Sequence, residues 1–405
     1  MKLFVKILLA VAVVAMILVG LNWSKIQRLK HVNTLFDEGK IVENFSNMDK
    51  AFLHQTLDIS GEPFVWPENP AALPETVEVA GKPRDLQKLL AELETTALIV
   101  IKDGEILNEN YYLGTDKDDL RISWSVAKSF MSGLYGQALE SGQIKSLDDN
   151  VETYAPSLKG SAYEGASIRN VLNMASGIRF NEDYMDPKSD INKMGRVLGL
   201  GQSMDAFAAS LIEREAEPGK RWQYVSIDTH IAAMVLRGAT GKSLHQLFNE
   251  TYGAHLGFGK APFYLTDGEN VAFALGGLNL RTRDYAKFGQ LFLQKGQWKG
   301  EQIVPESWVT ASTAHSAPNL SDRGVGYGYQ WWVPMPQEGL HKGDFFAVGI
   351  YGQYIYVNPA ANMVIAKNAA HRNFAYPMDG YGHSMNVNID MIRSLAEYYS
   401  EGGSE

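Results

Sequence analysis

The chain opens on its most apolar stretch. Lys2 and Lys6 precede an uninterrupted apolar run from Ile7 to Leu21, closed by Asn22, Trp23 and Ser24. A charged start followed by such a run predicts a signal anchor or signal peptide over residues 1–23. With Leu3 to Val5 counted in and Lys6 snorkelling, it reaches the length that spans a bilayer. Leu18-Val19-Gly20-Leu21 offers no small-x-small cleavage site, so the pattern favours an anchor in the inner membrane over secretion after cleavage. The bulk of the chain is then expected in the periplasm or another extracytoplasmic space, with the membrane as partner through the amino-terminal segment.

Residues 24–85 read as a stem. Prolines at 63, 67, 70 and 74 exclude regular helix or central strand there. Ala97 to Lys102 is an apolar strand, Asp103-Gly104 a tight turn, and Glu105 to Leu113 its hairpin partner. From Trp124 to about Gly142 the period becomes helical, and helices follow near 166–175, 204–213, 226–238 and 282–296. Strand patterns return at Tyr327–Val333, Phe345–Tyr351, Tyr354–Val357 and Met363–Asn368, and a helix over about 385–399 closes the chain. Two strands at the front and several at the back predict an α/β (α+β) fold. One antiparallel sheet is built from both chain ends and flanked by helices, within a domain over 86–400 that carries a largely helical insertion at about 140–315.

Composition narrows the function. The 405 residues are 45% hydrophobic and 20% charged, as in ordinary globular proteins and unlike disordered chains. A formal net charge of -9 lacks the basic footprint of a nucleic-acid binder. The absence of cysteine removes thiol nucleophiles, disulfides and Cys-type zinc sites together. Gly238 to Ser243 has the tail of a phosphate-binding loop, but the required first glycine falls on Leu236. Gly199-Leu-Gly201 begins a dinucleotide fingerprint and fails at Met204, and Gln202-Ser203-Met204 lacks the glycine a nucleophile elbow needs at 205. No HExxH pair occurs among the nine histidines. The expectation is an activity without metal or cofactor.

What remains is Ser125-Val126-Ala127-Lys128 at the start of the first long helix. Positions i and i+3 share a helix face, and the helix amino terminus favours a developing oxyanion. A lysine desolvated there by Trp124 and Phe130 can lose its proton and activate the serine. The pair alone is equally well a helix cap beside a solvated lysine. A second element, Pro218 to Ser226, brings Tyr224 and Ser226 to the start of another apolar helix, and a tyrosine so placed can shuttle a proton. It reads equally as a buried, hydrogen-bonded tyrosine. The third, Phe346-Ala347-Val348-Gly349-Ile350-Tyr351-Gly352, is a strand whose glycines let a ligand approach its edge.

Taken in order, these three pieces resemble the serine β-lactamase and penicillin-binding protein superfamily, in its class C-like branch with the esterases and 6-aminohexanoate-dimer hydrolases. The resemblance runs from about 95 to 400. Gly142 to Asp149, Ile168 to Gly177, Gly276 to Asp284 and Gly326 to Trp332 resemble the same branch. It implies a β-lactamase/transpeptidase-like fold and a serine hydrolase cleaving an ester or amide through an acyl-enzyme, with a small-molecule or peptide-like substrate. Ser125 is then the nucleophile, Lys128 its activator and Tyr224 the general acid/base. The backbone N–H groups of Ser125 and Ile350 form the oxyanion hole. Two departures bear on substrate. Tyr224-Val-Ser226 stands where β-lactamases carry Tyr-x-Asn, and Ala347-Val-Gly349 where they carry Lys-Thr-Gly, so the cation that would meet a β-lactam carboxylate is missing. Ser226, Ala347, Gly349, Tyr351, Tyr184 and Trp331 are the expected substrate-binding residues, Tyr184, Tyr351 and Trp331 with Trp332 suggesting a partly apolar cleft. Asn181-Glu182-Asp183-Tyr184 is similar to the nylon-oligomer branch and suited to an amine or amide, or else a solvated acidic loop. The alternatives are a DD-peptidase or β-lactamase acting on cell-wall material, and a non-catalytic homologue that binds peptidoglycan or a partner.

Overall fold

The computed structural model describes residues 2–319, 324–335, 337–378 and 382–402. Seven strands make one antiparallel sheet: β1 (Thr95–Lys102), β2 (Glu105–Tyr111), β3 (Val325–Tyr327), β4 (Trp332–Pro334), β5 (Phe345–Gly349), β6 (Gln353–Asn358) and β7 (Met363–Ala369). Their order is β3-β4-β5-β6-β7-β1-β2. The two ends of the chain meet where β7 pairs with β1, Ile365 opposite Val100 and Lys367 opposite Leu98. Strands β5, β6 and β7 are buried along their whole length because both faces of the sheet are covered, which is why they read as apolar runs rather than alternations.

The principal helices are α1 (Lys2–Leu21), α2 (Trp23–Asn33), α3 (Val126–Glu140), α4 (Asp190–Gly199), α5 (Ser226–Thr240), α6 (Thr282–Leu293) and α7 (Ser384–Ser400). Strand β1 sorts its side chains by the two-residue period. Leu98 and Val100 join Ile392 and Leu395 of α7 in one core, while Ile99 and Ile101 join Phe130 of α3 and Phe288 of α6 in a larger one. In that larger core Tyr135 of α3 donates to the Ala232 carbonyl of α5 at 2.7 Å. Ser129 and Ser132 of α3 donate to the carbonyls of Gln330 and Tyr329, both at 2.7 Å. These bonds fix the turn between β3 and β4 to the helix that begins at Ser125. The single strand expected over 327–333 is therefore two, separated by a turn in which Gln330 has φ +68°.

The segment before β1 belongs to the body of the molecule. Leu35, Ile41, Phe45 and Met48 are buried in the larger core. Arg121, itself buried, donates to the Val42 carbonyl at 2.8 Å and to the Ser46 hydroxyl, tying this segment to the short strand just before Ser125.

The expectation of a membrane anchor is corrected. Among the described residues no helix is long and apolar enough to cross a membrane. The uninterrupted run from Ile7 to Leu21 supplies about 22 Å of helix at 1.5 Å per residue, short of a hydrocarbon core of about 30 Å, and the longer span needed Lys6 within it. The inner-membrane location and the periplasmic placement drawn from that anchor lose their ground with it.

Helix α5, which starts at the candidate site, passes tightly over the loop at Tyr154. A Cβ on Gly238 would lie 1.8 Å from the Tyr154 carbonyl oxygen. Gly238→Ala is expected to destabilise the protein by roughly 1–3 kcal/mol, read as a lower urea midpoint at unchanged slope. An unchanged or raised midpoint would show that this crossing is loose.

Candidate active site

Ser125 is the residue immediately before the first turn of α3, and Lys128 follows one turn later on the same face. The tyrosine loop converges on them: the Ser125 side chain is near enough to the Tyr224 phenol to pull its pKa down against burial, both line one cavity, and the Lys128 ammonium lies 5.4 Å from the centre of the Tyr224 ring. Lys128 Nζ donates to the Ser226 carbonyl at 3.4 Å. The end of β5 closes the third side. A Cβ on Gly349 would stand 2.5 Å from the Ser123 carbonyl, so only glycine lets the strand come this near the chain leading into Ser125. Among the described residues, neither the Ser125 nor the Ile350 backbone N–H has a protein acceptor. Two unsatisfied donors thus flank one hydroxyl.

The backbone at this junction is strained on both sides. Trp124, just before Ser125, has φ +43°, and Tyr351, just after Ile350, has φ +65°. For residues with a Cβ such conformations cost on the order of 1–3 kcal/mol and persist only where packing enforces them. The enforcement comes from the amino-terminal segment. Phe36 stacks on Tyr351 at 5.2 Å and on Trp124 at 6.2 Å, and Phe45 meets their edges at 5.4 and 5.5 Å.

Burial sets the electrostatics. Lys128 is 1% exposed, and desolvation pulls its pKa down to about 7 against the opposing pull of Glu182 and Asp228. Asp228, fully buried on α5, is pushed up to about 7, chiefly by desolvation, with Tyr163 donating to it at 2.7 Å. Glu182 is likewise raised by burial. Its carboxylate accepts from the Ser226 N–H at 3.0 Å, from the Ser226 hydroxyl, and from the Tyr184 hydroxyl at 2.8 Å. The acidic loop is therefore no solvated flank at this position. Burial also holds the Tyr224 phenol far above its ordinary range, so it stays protonated.

Two cavities open on Ser125. The smaller, about 170 Å³, is walled by Tyr184, Tyr224, Trp332, Val348 and Ile350, with Phe374, His383 and Met385 from the carboxy-terminal end. The larger, about 540 Å³, also touches Tyr184 and Ile350, and has Trp124 and Tyr351 at its edge. The expected residues divide accordingly. Ser125, Lys128, Tyr224, Ile350, Gly349, Tyr184, Tyr351 and Ser226 come together. Trp331 does not: it is fully buried, stacked at 5.8 Å on Phe288, because strand alternation turns it into the core and gives the cavity wall to Trp332. Ala347 is turned into the core in the same way, and Val348 lines the cavity in its place. Asp228 was missed, although its position two residues after Ser226 puts it on the first turn of α5. His383 and Met385 were missed because nothing local marks a helix start as part of a distant cleft.

Residues 84–379 match the beta-lactamase family model. A 6-aminohexanoate-dimer hydrolase of Paenarthrobacter ureafaciens is 30% identical over 296 residues, 70% of this chain and 74% of that one. A solved structure from Bacillus anthracis, provisionally described as a 6-aminohexanoate-dimer hydrolase, superposes with a TM-score of 0.78 at 24% identity, covering 91% of this chain and 96% of that one. A class C beta-lactamase mutant superposes with a TM-score of 0.56 at 17% identity, covering 77% and 94%. At those identities the two superpositions speak for the fold alone, the β-lactamase/transpeptidase-like one. On the family match and the 30% identical relative, the chain belongs to the beta-lactamase family and is a serine hydrolase.

Proposed function

We propose that this serine hydrolase cleaves an ester or amide bond through an acyl-enzyme on Ser125, with Lys128 as base and Tyr224 as proton donor. The observation that carries the reading is the buried Lys128 ammonium, its pKa pulled down to about 7, one helical turn from Ser125 and 5.4 Å from the Tyr224 ring, with Ser125 and Tyr224 lining one cavity. A neutral amine is a competent base at neutral pH, whereas an ordinary lysine is almost wholly charged. The phenol cannot ionise so readily, which leaves it to relay a proton from Ser125 and return it to the leaving group. The Ser125 oxygen attacks the carbonyl carbon, and the oxyanion settles between the N–H groups of Ser125 and Ile350. The leaving oxygen or nitrogen departs protonated. Water then repeats the sequence and releases the acid.

The relative from Paenarthrobacter ureafaciens is named for a linear amide dimer, which supports including amides among the substrates. Cell-wall peptides and β-lactams fit less well. Ala347 puts no cation beside the cleft, and losing a charge-assisted hydrogen bond to a substrate carboxylate costs roughly 10–100-fold. A purely binding role would leave the lysine, the phenol and the two free N–H groups without purpose.

Intact-mass spectrometry after treatment with a fluorophosphonate is expected to give a single adduct, absent in Ser125→Ala. Short p-nitrophenyl esters or a linear amide dimer should turn over, with nitrocefin trailing. A folded protein with neither adduct nor turnover would sink the proposal. The acidity of Lys128 makes a second prediction. The active form is the deprotonated amine, so kcat/KM for an ester should rise about tenfold per pH unit below pH 7 and level off above it. A profile that climbs only near pH 10 would mean the lysine is an ordinary one.

A further inference from the structure

We infer that the acyl part of the natural substrate is a long apolar chain, held in the 540 Å³ chamber between the amino-terminal segment and α4; this rests on the acyl-enzyme reading above. The two cavities that meet at Ser125 are chemically unequal, and the division between them assigns the two halves of the substrate. Tyr224, the proton donor to the leaving group, lines the smaller cavity and is absent from the walls of the larger. The leaving group must lie within reach of that phenol. The acyl carbon is bonded to Ser125, so the rest of the acyl group runs the other way, into the larger chamber.

The inner wall of that chamber is apolar: Leu35, Met48, Phe52, Met194, Leu198 and Leu265 are all buried side chains facing it. Most of its polar side chains lie outward or are already engaged, while the Trp124 indole N–H is buried without a partner among the described residues. Asn33 and Arg196 are exposed, with Arg196 donating to the Pro187 carbonyl at 2.8 Å, and Asn192 donates to the carbonyls of Tyr184 and Asp186 at 3.0 and 2.9 Å. Water inside such walls has few partners, so an alkyl chain displaces it favourably. The volume is that of a small-molecule site rather than of a packing defect.

One side of the chamber lies outside the part of the chain that matches the family. Leu29 and Val32 of α2, with Leu35, Phe36, Met48 and Phe52, all precede residue 84, where that match begins. The amino-terminal segment roofs one side of the site. Each buried methylene is worth up to roughly a fourfold gain in kcat/KM.

The test uses the full chain. p-Nitrophenyl esters of two, four, eight and twelve carbons are expected to show kcat/KM rising at least tenfold from acetate to octanoate. Octanoate esters of a short alcohol should be favoured over acetate esters of octanol. Val32→Trp and Met194→Trp, filling the chamber from opposite walls, should each lower the octanoate-to-acetate ratio at least tenfold, and acetate turnover reports that the variant is folded. Ser125-dependent turnover that is flat or falls with acyl length, or that prefers the long alcohol, overturns this inference and leaves the hydrolase reading standing. If no ester turns over in a Ser125-dependent way, this inference falls, and the hydrolase reading falls with it only where the fluorophosphonate adduct and turnover of the amide dimer are absent too.

Discussion

A lysine ammonium withdrawn from water is the interaction around which this site is organised. Burying an isolated charge is so costly that a protein must either pair it or let it lose its proton. Here Lys128 sits between those outcomes: desolvation lowers its pKa, and Glu182 and Asp228 hold it near neutrality. That balance requires a place where a helix begins inside the molecule, which is what the junction of sheet and helical region supplies. Helix α3 starts beneath the end of β5, and α5 brings Asp228 alongside. The same burial that tunes the amine keeps the Tyr224 phenol protonated, so the two neighbours have opposite proton affinities for one cause.

The amino-terminal segment has a structural part in this arrangement. Phe36 and Phe45 pack on Trp124 and Tyr351, the two strained residues that bracket the free N–H groups. Arg121 fastens the same segment to the strand entering the site. One stretch of chain therefore both holds the backbone of the site in shape and walls its larger cavity. Changes at Phe36 would reach the chemistry through the backbone of Trp124 and Tyr351 as well as through the cavity wall it forms.

Much of the architecture could be read from the chain because it rests on local patterns. The β1–β2 hairpin announces itself through Ala97–Lys102 and the Asp103-Gly104 turn, and α3, α5 and α7 through helical periodicity. The seven short motifs in order were enough for the family. Side-chain direction was less legible. Trp331 and Trp332 are equivalent as letters, and only the register of β4 against β5 decides which faces the cleft. Helix α4 was overlooked despite Ser189 as cap and Ile191, Met194 and Leu198 on one face, because the neighbouring glycines at 195, 199 and 201 read as loop. The contribution of residues 29–52 had no sequence signal, since it depends on contacts with residues far along the chain. The anchor reading failed for a different reason: hydropathy alone extended a fifteen-residue run through a charged side chain.

The account stands on the state of one amine, and its proton affinity can be measured directly. In Ser125→Ala protein carrying 13Cε-labelled lysine, the Lys128 resonance, identified by its loss in Lys128→Met, should titrate with a midpoint near 7. A midpoint above 10 would contradict the account, because the amine would then be charged whenever the protein works and some other group would have to take the proton of Ser125.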